Sequence, residues 1–503
     1  MTHKRILINL SEFILEQSFL QENNVRPDQK TFRTSFLLKI EVTYNSGVIA
    51  TEANTPLTYR RIVNTWWPLA ASWLLMGVEL PILSAVMARL PNPAINLAAY
   101  GGIVFPLALI IESPIIMLLA ASTALSKDQA SYQLIRRFMF VTAAALTGLH
   151  ILIAFTPLYY FVAEQLLGAP DVIVEPGRIG LILMTPWTFS IAYRRFNQGV
   201  LIRYNHSKKV GVGTVVRLSA DLAVLLIGYS IGTIQGIVVA TCAVSAGVIS
   251  EAIYSGIAVR PVVKNQVEKM EPVDPALTMG SFLKFYFPLV LTSLLTLLVQ
   301  PIGSAALSRM PIALASLAVW PVLSGLTFMF RSIGVAYNEV VVALLEAPLS
   351  TQKLQRFTAY LTGITSLLIM LVALTPLSLF WFRVFSGLEP DLADMAVIGL
   401  VIGIPTAGFA VLQSWFQGLL LHGGRTRGIT EAVVLFLITC SSLLWIGVRW
   451  GEYTGLFWAM ASFTAAMLLQ TLWLWYRSRP EERIVQERDN LISLATPMAV
   501  SSD

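Results

Sequence analysis

The chain has 503 residues, 55% of them hydrophobic and only 13% charged, with a mean hydropathy of +0.69. A soluble domain carries about a quarter charged residues, so an ordinary soluble globular protein is excluded, and recurring runs of roughly 20 apolar residues, enough to cross about 30 Å of hydrocarbon, indicate an all-α polytopic membrane protein. The net charge of +6 and pI near 9.2 reflect loop Lys and Arg that set orientation, and imply no nucleic-acid partner.

Taken in order, residues 1–64 form a polar cytoplasmic extension without the apolar core of a signal peptide. Ser11 to Leu20 has the pattern of a short amphipathic helix, and residues 21–24 read as loosely ordered. Arg60-Arg61 precede the aromatic pair Trp66-Trp67, an interfacial anchor. Twelve spans follow, at 66–88, 95–124, 137–162, 177–201, 212–232, 235–258, 283–307, 313–345, 356–382, 393–420, 430–449 and 452–476. They divide into an N-terminal six-helix lobe (65–259), a cytoplasmic linker (260–281), a C-terminal six-helix lobe (282–476) and a cytoplasmic tail (477–503). A membrane barrel would show segments of about ten residues in strict alternation instead. Cys242 and Cys440 lie in separate apolar runs, match no metal or redox spacing, and read as buried small hydrophobes.

The lobes repeat one another. Adding 220 carries Trp66-Trp67-Pro68-Leu69 to Tyr286-Phe287-Pro288-Leu289, Pro81-Ile82 to Pro301-Ile302, Ser84-Ala85 to Ser304-Ala305, Arg89 to Arg309, Pro91 to Pro311 and Tyr100 to Trp320. Further on the offset is 219: Thr156-Pro157-Leu158 recurs at Thr375-Pro376-Leu377, and Ile179-Gly180-Leu181 at Ile398-Gly399-Leu400. Gln198-Gly199 recurs as Gln417-Gly418, each ahead of a basic loop. Three prolines, a serine and an arginine kept in one register mark a duplication rather than shared hydrophobicity. An even number of spans per repeat gives both lobes the same orientation, about an axis along the membrane normal. Loops after even spans carry most of the basic residues (Lys127, Arg136, Arg137, Arg203, Lys208, Lys209, Arg260, Lys264, Lys353, Arg425), which places both termini in the cytoplasm.

Two six-helix lobes, each with Gln-Gly and a basic loop after its fourth helix, resemble the MATE-like multidrug and polysaccharide flippase (MOP) superfamily. Within it, Trp67-Pro68-Leu69, Leu97-Ala98-Ala99-Tyr100-Gly101, and His150 with Leu152-Ile153-Ala154 and Tyr159-Tyr160 are similar to the progressive ankylosis protein family. The resemblance covers residues 60–476; the long N-terminal extension departs from it. It implies secondary transport, and for the named branch export of anionic metabolites such as pyrophosphate, nucleotides or citrate.

Ionisable residues inside hydrocarbon are costly and by default mark a site. Glu79 falls mid-way in the first span beside Pro81, which removes a backbone hydrogen bond and distorts the helix, as Pro301 does in the seventh. Glu112 lies in the second span, His150 in the third, Arg331 in the eighth with Asn338-Glu339 two turns on. These six are the candidate substrate- or ion-binding residues; each has a structural alternative, an ion pair or hydrogen bond joining helices. Asp221, Glu251 and Glu339 fall near predicted helix ends, where snorkelling is the plainer reading. Gln198 and Gln417 are candidate gating or hinge residues, with packing as the alternative, and Arg194-Arg195 line the cytoplasmic entrance or serve orientation. At 1.5 Å per residue, Glu79, Glu112, His150 and Arg331 all reach about 20 Å from the cytoplasmic edge. The expectation is that Glu112 and Arg331 face each other across the cleft between lobes.

A transporter explains the duplication and the buried charges. A membrane enzyme is a remote alternative: His3, His150, His206 and His422 are scattered, with no HExxH, phosphate loop or nucleotide motif. No cofactor or metal is expected, and coupling would come from H+ or Na+ or from the substrate gradient. A scaffold would not explain mid-membrane charges. Among transporters, a small-anion exporter needs a fixed cation such as Arg331; a multidrug or cation antiporter, or a lipid-linked sugar flippase moving an amphiphile, is the alternative. A monomer in the plasma membrane is expected, with the lipid bilayer as its surroundings.

Overall fold

The computed structural model describes residues 57–495, so the Ser11–Leu20 helix expectation lies outside the described residues. Twelve long helices follow: α1 (Tyr59–Met87), α2 (Pro93–Leu125), α3 (Gln129–Phe155), α4 (Asp171–Leu183 and Thr185–Arg203), α5 (Ser207–Ile231) and α6 (Gly236–Asn265), then α7 (Met279–Arg309), α8 (Ala313–Leu344), α9 (Ser350–Leu374), α10 (Pro390–His422), α11 (Arg427–Trp450) and α12 (Gly455–Ala495). Eleven are long and apolar enough to cross a membrane; α4 is of similar length and carries Arg178, Arg194 and Arg195. The even-to-odd connections and both described chain ends lie on one side, the terminal face; the others lie on the far face.

The duplication is legible in the breaks. Pro81 has no N–H for the Gly77 carbonyl, and α1 is interrupted at Val78; Pro301 likewise leaves Leu297, and α7 is interrupted at Leu298. Left-handed Asn92 (φ 55°) and Ile312 (φ 56°) start α2 and α8, and Gly232 and Gly451, both at φ 70°, end α5 and α11. The change of offset from 220 to 219 has a physical cause. Residues Tyr100–Val104 of α2 form a π-turn, which absorbs one extra residue, whereas α8 runs through the matching region without one. After that turn Glu112 and Arg331 occupy the same position of the two lobes.

The Gln-Gly motif is a packing device. A Cβ on Gly199 would lie 1.8 Å from Ser122 Oγ of α2, and one on Gly418 would lie 2.5 Å from a Val341 methyl of α8. Each glycine lets the fourth helix of its lobe touch the terminal half of the second.

The boundaries at both ends of the helical region differ from the sequence reading. α1 starts at Tyr59, not in the middle sixties, because Thr58 caps its first turn. α12 does not stop at 476 but continues to Ala495. Its polar end is held on the terminal face by Arg425–Glu481 (2.6 Å), Gln355–Glu482 (2.7 Å) and the Thr351 N–H donating to Asp489 (2.9 Å).

Candidate transport site

The terminal halves of α1 and α7 cross over between lobes. Residues 59–77 pack on α8 of the C-terminal lobe, with Trp66 Nε1 donating to the Ile333 carbonyl (3.2 Å); residues 279–297 pack on α2, with Tyr286 donating to the Pro114 carbonyl. On the terminal side the extensive contacts between lobes run through these two half-helices, whereas on the far side α2 and α8 meet directly. There a Cβ on Gly101 would come within 2.7 Å of the Pro321 ring, so only glycine allows the crossing. The cleft between lobes therefore faces the terminal side.

Two arginines seal the far face, one from each lobe. Arg309, at the end of α7, donates to the carbonyls of Leu167 (2.9 Å), Gln165 (2.8 Å) and Leu166 (2.9 Å). These end the π-turn Phe161–Leu166 after α3, where helix carbonyls have no partner of their own and the dipole favours a cation. Arg89, at the end of α1, makes the equivalent reach to the Val384 carbonyl after α9, in the matching π-turn Phe380–Phe385. Each guanidinium sits against a left-handed glycine: Gly168 (φ 65°), whose added Cβ would be 2.8 Å from Arg309 Cζ, and Gly387 (φ 72°), 2.8 Å from Arg89 Nη1. The sequence reading used both arginines only as marks of the duplication and as minor loop charges.

Four carboxylates and three guanidinium groups gather in the N-terminal lobe. Arg217 of α5 pairs with Glu79, at the start of the second half of α1, and its Nε lies 3.8 Å from Glu251 of α6. Glu251 is fully buried, pairs with Arg194 of α4, and accepts from Gln198 Nε2 at 2.8 Å. Asp221, one turn beyond Arg217, is pressed against Gly247 of α6, and neither of its oxygens has a hydrogen-bond donor. Glu112 of α2 is buried with Oε2 unpaired, in the field of Arg195, Arg194 and Arg217. Burying a charge without a partner costs several kcal/mol, which is why a ligand, a proton or a cation is expected at such groups.

All but one of the same positions in the C-terminal lobe are neutral. Arg194 and Glu251 become Gln413 and Gln470, still in contact (3.3 Å), and Asp221 becomes Cys440. The position of Glu112 becomes Arg331, whose guanidinium lies 5.1 Å from the Phe463 ring centroid and whose Nε has no acceptor. Gly77 packs against Met329 and Trp73 reaches Glu339, which brackets Arg331 at the level of the α1 segment just below Glu79.

Several expectations are corrected. Glu112 and Arg331 share a depth but form no ion pair; helix register fixes level, not facing, and Glu112 turns into its own lobe toward the arginines of α4 and α5. His150 does not face the cleft: its ring nitrogens are bonded to Thr188 Oγ1 (2.8 Å) and the Leu181 carbonyl (2.9 Å), joining α3 to α4. Asp221 and Glu251 sit mid-helix and buried: α6 ends later than the sequence boundary implied, which moves Glu251 from near its end to its middle, while Asp221 is central in α5 on either set of bounds. Asn338 meets Gln417 (3.5 Å) in the C-terminal lobe, while Glu339 is exposed toward the terminal side. Arg217 was missed, although its place four residues before Asp221 inside a predicted span was a usable signal.

No family model matches the chain, and no curated protein matches it. Solved structures do. A multidrug resistance MATE family transporter of the MOP superfamily, in its inward-facing conformation, aligns with a TM-score of 0.62 over 84% of this chain and 99% of that one at 13% identity. An outward-facing conformation of such a transporter aligns with a TM-score of 0.53 over 84% and 96% at 15% identity. The lipid II flippase MurJ, in an inward closed conformation, aligns with a TM-score of 0.62 over 87% and 94% at 13% identity. At these identities the likeness is one of fold. The chain has the two-lobed, twelve-helix fold of the MATE-like transporters.

Proposed function

We propose that the chain is a secondary-active exporter that works by alternating access between its lobes and carries a small organic or phosphate-containing anion, of the pyrophosphate, nucleotide or citrate class named by the resemblance to the progressive ankylosis family. The fold supports transport; Arg331 carries the choice of an anion. It is a mid-helix guanidinium with no carboxylate within ion-pair distance among the described residues, in a lobe whose other matching positions are neutral. A planar, permanently charged donor fork suits carboxylate or phosphate oxygens. Loop charges put the terminal face in the cytoplasm, so the conformation described is inward-facing, closed outside by Arg89 and Arg309. Glu112 and Asp221, lacking donors, are the groups that take up H+ or Na+, and their change of charge alters the field at Arg194, Arg195 and Arg217.

Those orphan carboxylates also favour a second reading, export of an organic cation exchanged for the coupling ion. Proteoliposome uptake of labelled pyrophosphate, citrate and ATP beside a cationic dye separates the two. Anion uptake that is lost in Arg331→Ala while the variant remains folded supports the first; dye transport alone, unaffected by Arg331→Ala, rejects it.

A further inference from the structure

Two cavities on the outer surface of the N-terminal lobe adjoin one another and share Tyr193, Gly256 and Arg260. One, of about 440 Å³, is an apolar groove between α4 and α6, walled by Phe189, Ile249, Ile253 and Ile257. Ile253 and Ile257 are 59% and 60% exposed, so the groove opens outward to where lipid lies. The other, of about 490 Å³, is polar and sits at the terminal end of α3 and α6, where Arg136, Arg260 and Lys264 converge with a single carboxylate, Glu268. No ion pair involves any of these three cations among the described residues; Arg136 rests only on the Phe140 ring, 5.5 Å from its centroid. Arg260 stands where the two cavities join. From there to Ile249 is 11 residues of α6, about 16 Å into the hydrocarbon.

A basic pocket at headgroup depth, continuous with an apolar slot running along the helices into the membrane, has the shape and polarity of one amphiphile. We propose that this is a binding site for an anionic glycerophospholipid of the leaflet on the terminal side. Its phosphate and anionic headgroup are held by Arg136, Arg260 and Lys264, and one acyl chain fills the groove between α4 and α6. The site is separate from the cleft between lobes, but it shares α4 and α6 with the charge cluster of the N-terminal lobe: Tyr193 lines both cavities and Arg194 is the next residue, in the buried pair with Glu251. Occupancy therefore braces the two helices that carry that pair.

The test is native mass spectrometry of the delipidated full-length protein, mixed with equal amounts of phosphatidylglycerol, phosphatidylethanolamine and phosphatidylcholine of identical acyl chains. The wild type is expected to retain one phosphatidylglycerol in about 30-fold preference over the other two, the order expected for the pocket's net two positive charges at a membrane surface. Arg260→Gln with Lys264→Gln should remove the preference, and Ile253→Trp, at an exposed position, should lower retention of every lipid by filling the groove. Glycerol 3-phosphate should not compete. Equal retention of the three lipids, an unchanged preference in the double variant, displacement by glycerol 3-phosphate, or unchanged retention in Ile253→Trp overturns the proposal.

Discussion

Arg309→Ala should release the far face. The side chain makes three hydrogen bonds across the lobe boundary, at 2.8–2.9 Å, to carbonyls at a helix end. A charge-assisted bond is worth about 1.5–3 kcal/mol when buried and much less when exposed, as these partly are; about 2 kcal/mol for the set is a reasonable total, or roughly 30-fold in the ratio of closed to open. Arg89→Ala loses a smaller reach, about 1 kcal/mol. Because the two arginines sit in separate places, the effects should add, to roughly 150-fold in the double variant. The assay is a pulsed spin-label distance between cysteines placed at Asp171 and Asp391, both exposed on the far face, with Cys242 and Cys440 replaced by Ala. A single short distance in the parent should gain a longer component in Arg309→Ala, and most in the double variant, with Arg309→Lys between them because an ammonium cannot span three carbonyls. An unchanged distance distribution in a folded double variant would refute the idea that these contacts hold the face shut.

Glu251→Ala should strand Arg194 in the lobe interior and cost about 3–5 kcal/mol of stability, whereas Arg194→Gln with Glu251→Gln, which copies the Gln413–Gln470 contact of the other lobe, should recover most of the lost melting temperature but not transport. His150→Asn should lower thermal stability by about 1–3 kcal/mol and leave transport per folded molecule near the parent value; a selective loss of transport would put His150 back in the pathway. Asp128 caps α3 and holds the linker through the Val273 N–H at 2.9 Å. Burial alone would raise its carboxyl, but hydrogen bonds from the Ser131 hydroxyl and from the N–H groups of Val273 and Ser131 outweigh this and hold it below the usual range. Its stabilisation is therefore present above the ordinary value near pH 4 and is lost as pH falls through the lower folded value. Asp128→Ala should cost about 1 kcal/mol at neutral pH and flatten that acid-side loss in a melting series.

The sequence made the architecture plain because hydropathy reports spans and the kept prolines report the breaks: Pro81 and Pro301 interrupt α1 and α7 at equivalent residues. It also placed Glu79 and Glu112 as charges inside the spans, the first half-buried and the second buried. It could not show their partners, since Arg217, Arg194 and Glu251 come from three helices whose rotation is set by packing at glycines such as Gly199 and Gly247. Ending α6 at 258 rather than Asn265 put Glu251 near a helix end, and the burial of Asp221 comes from packing on α6, which the sequence does not announce. The two sealing arginines were invisible for a different reason: their acceptors are backbone carbonyls, which no residue type announces.

The π-turn of α2 has a mechanical consequence. Where α2 and α8 cross, one side presents a wide turn with two glycines and the other an α-helix without such a turn, carrying Pro321, so the contact resembles a ball seated in a shallow cup rather than two matched rods. Such a joint tolerates tilting while keeping its centre fixed. From Gly101 to Ile116, beyond which α2 is interrupted at Met117, is 15 residues, a lever of about 22 Å. A tilt of about 10° at the joint would swing that end by about 4 Å on a lever of this length, enough to admit or exclude a small ion, while the crossing itself hardly moves.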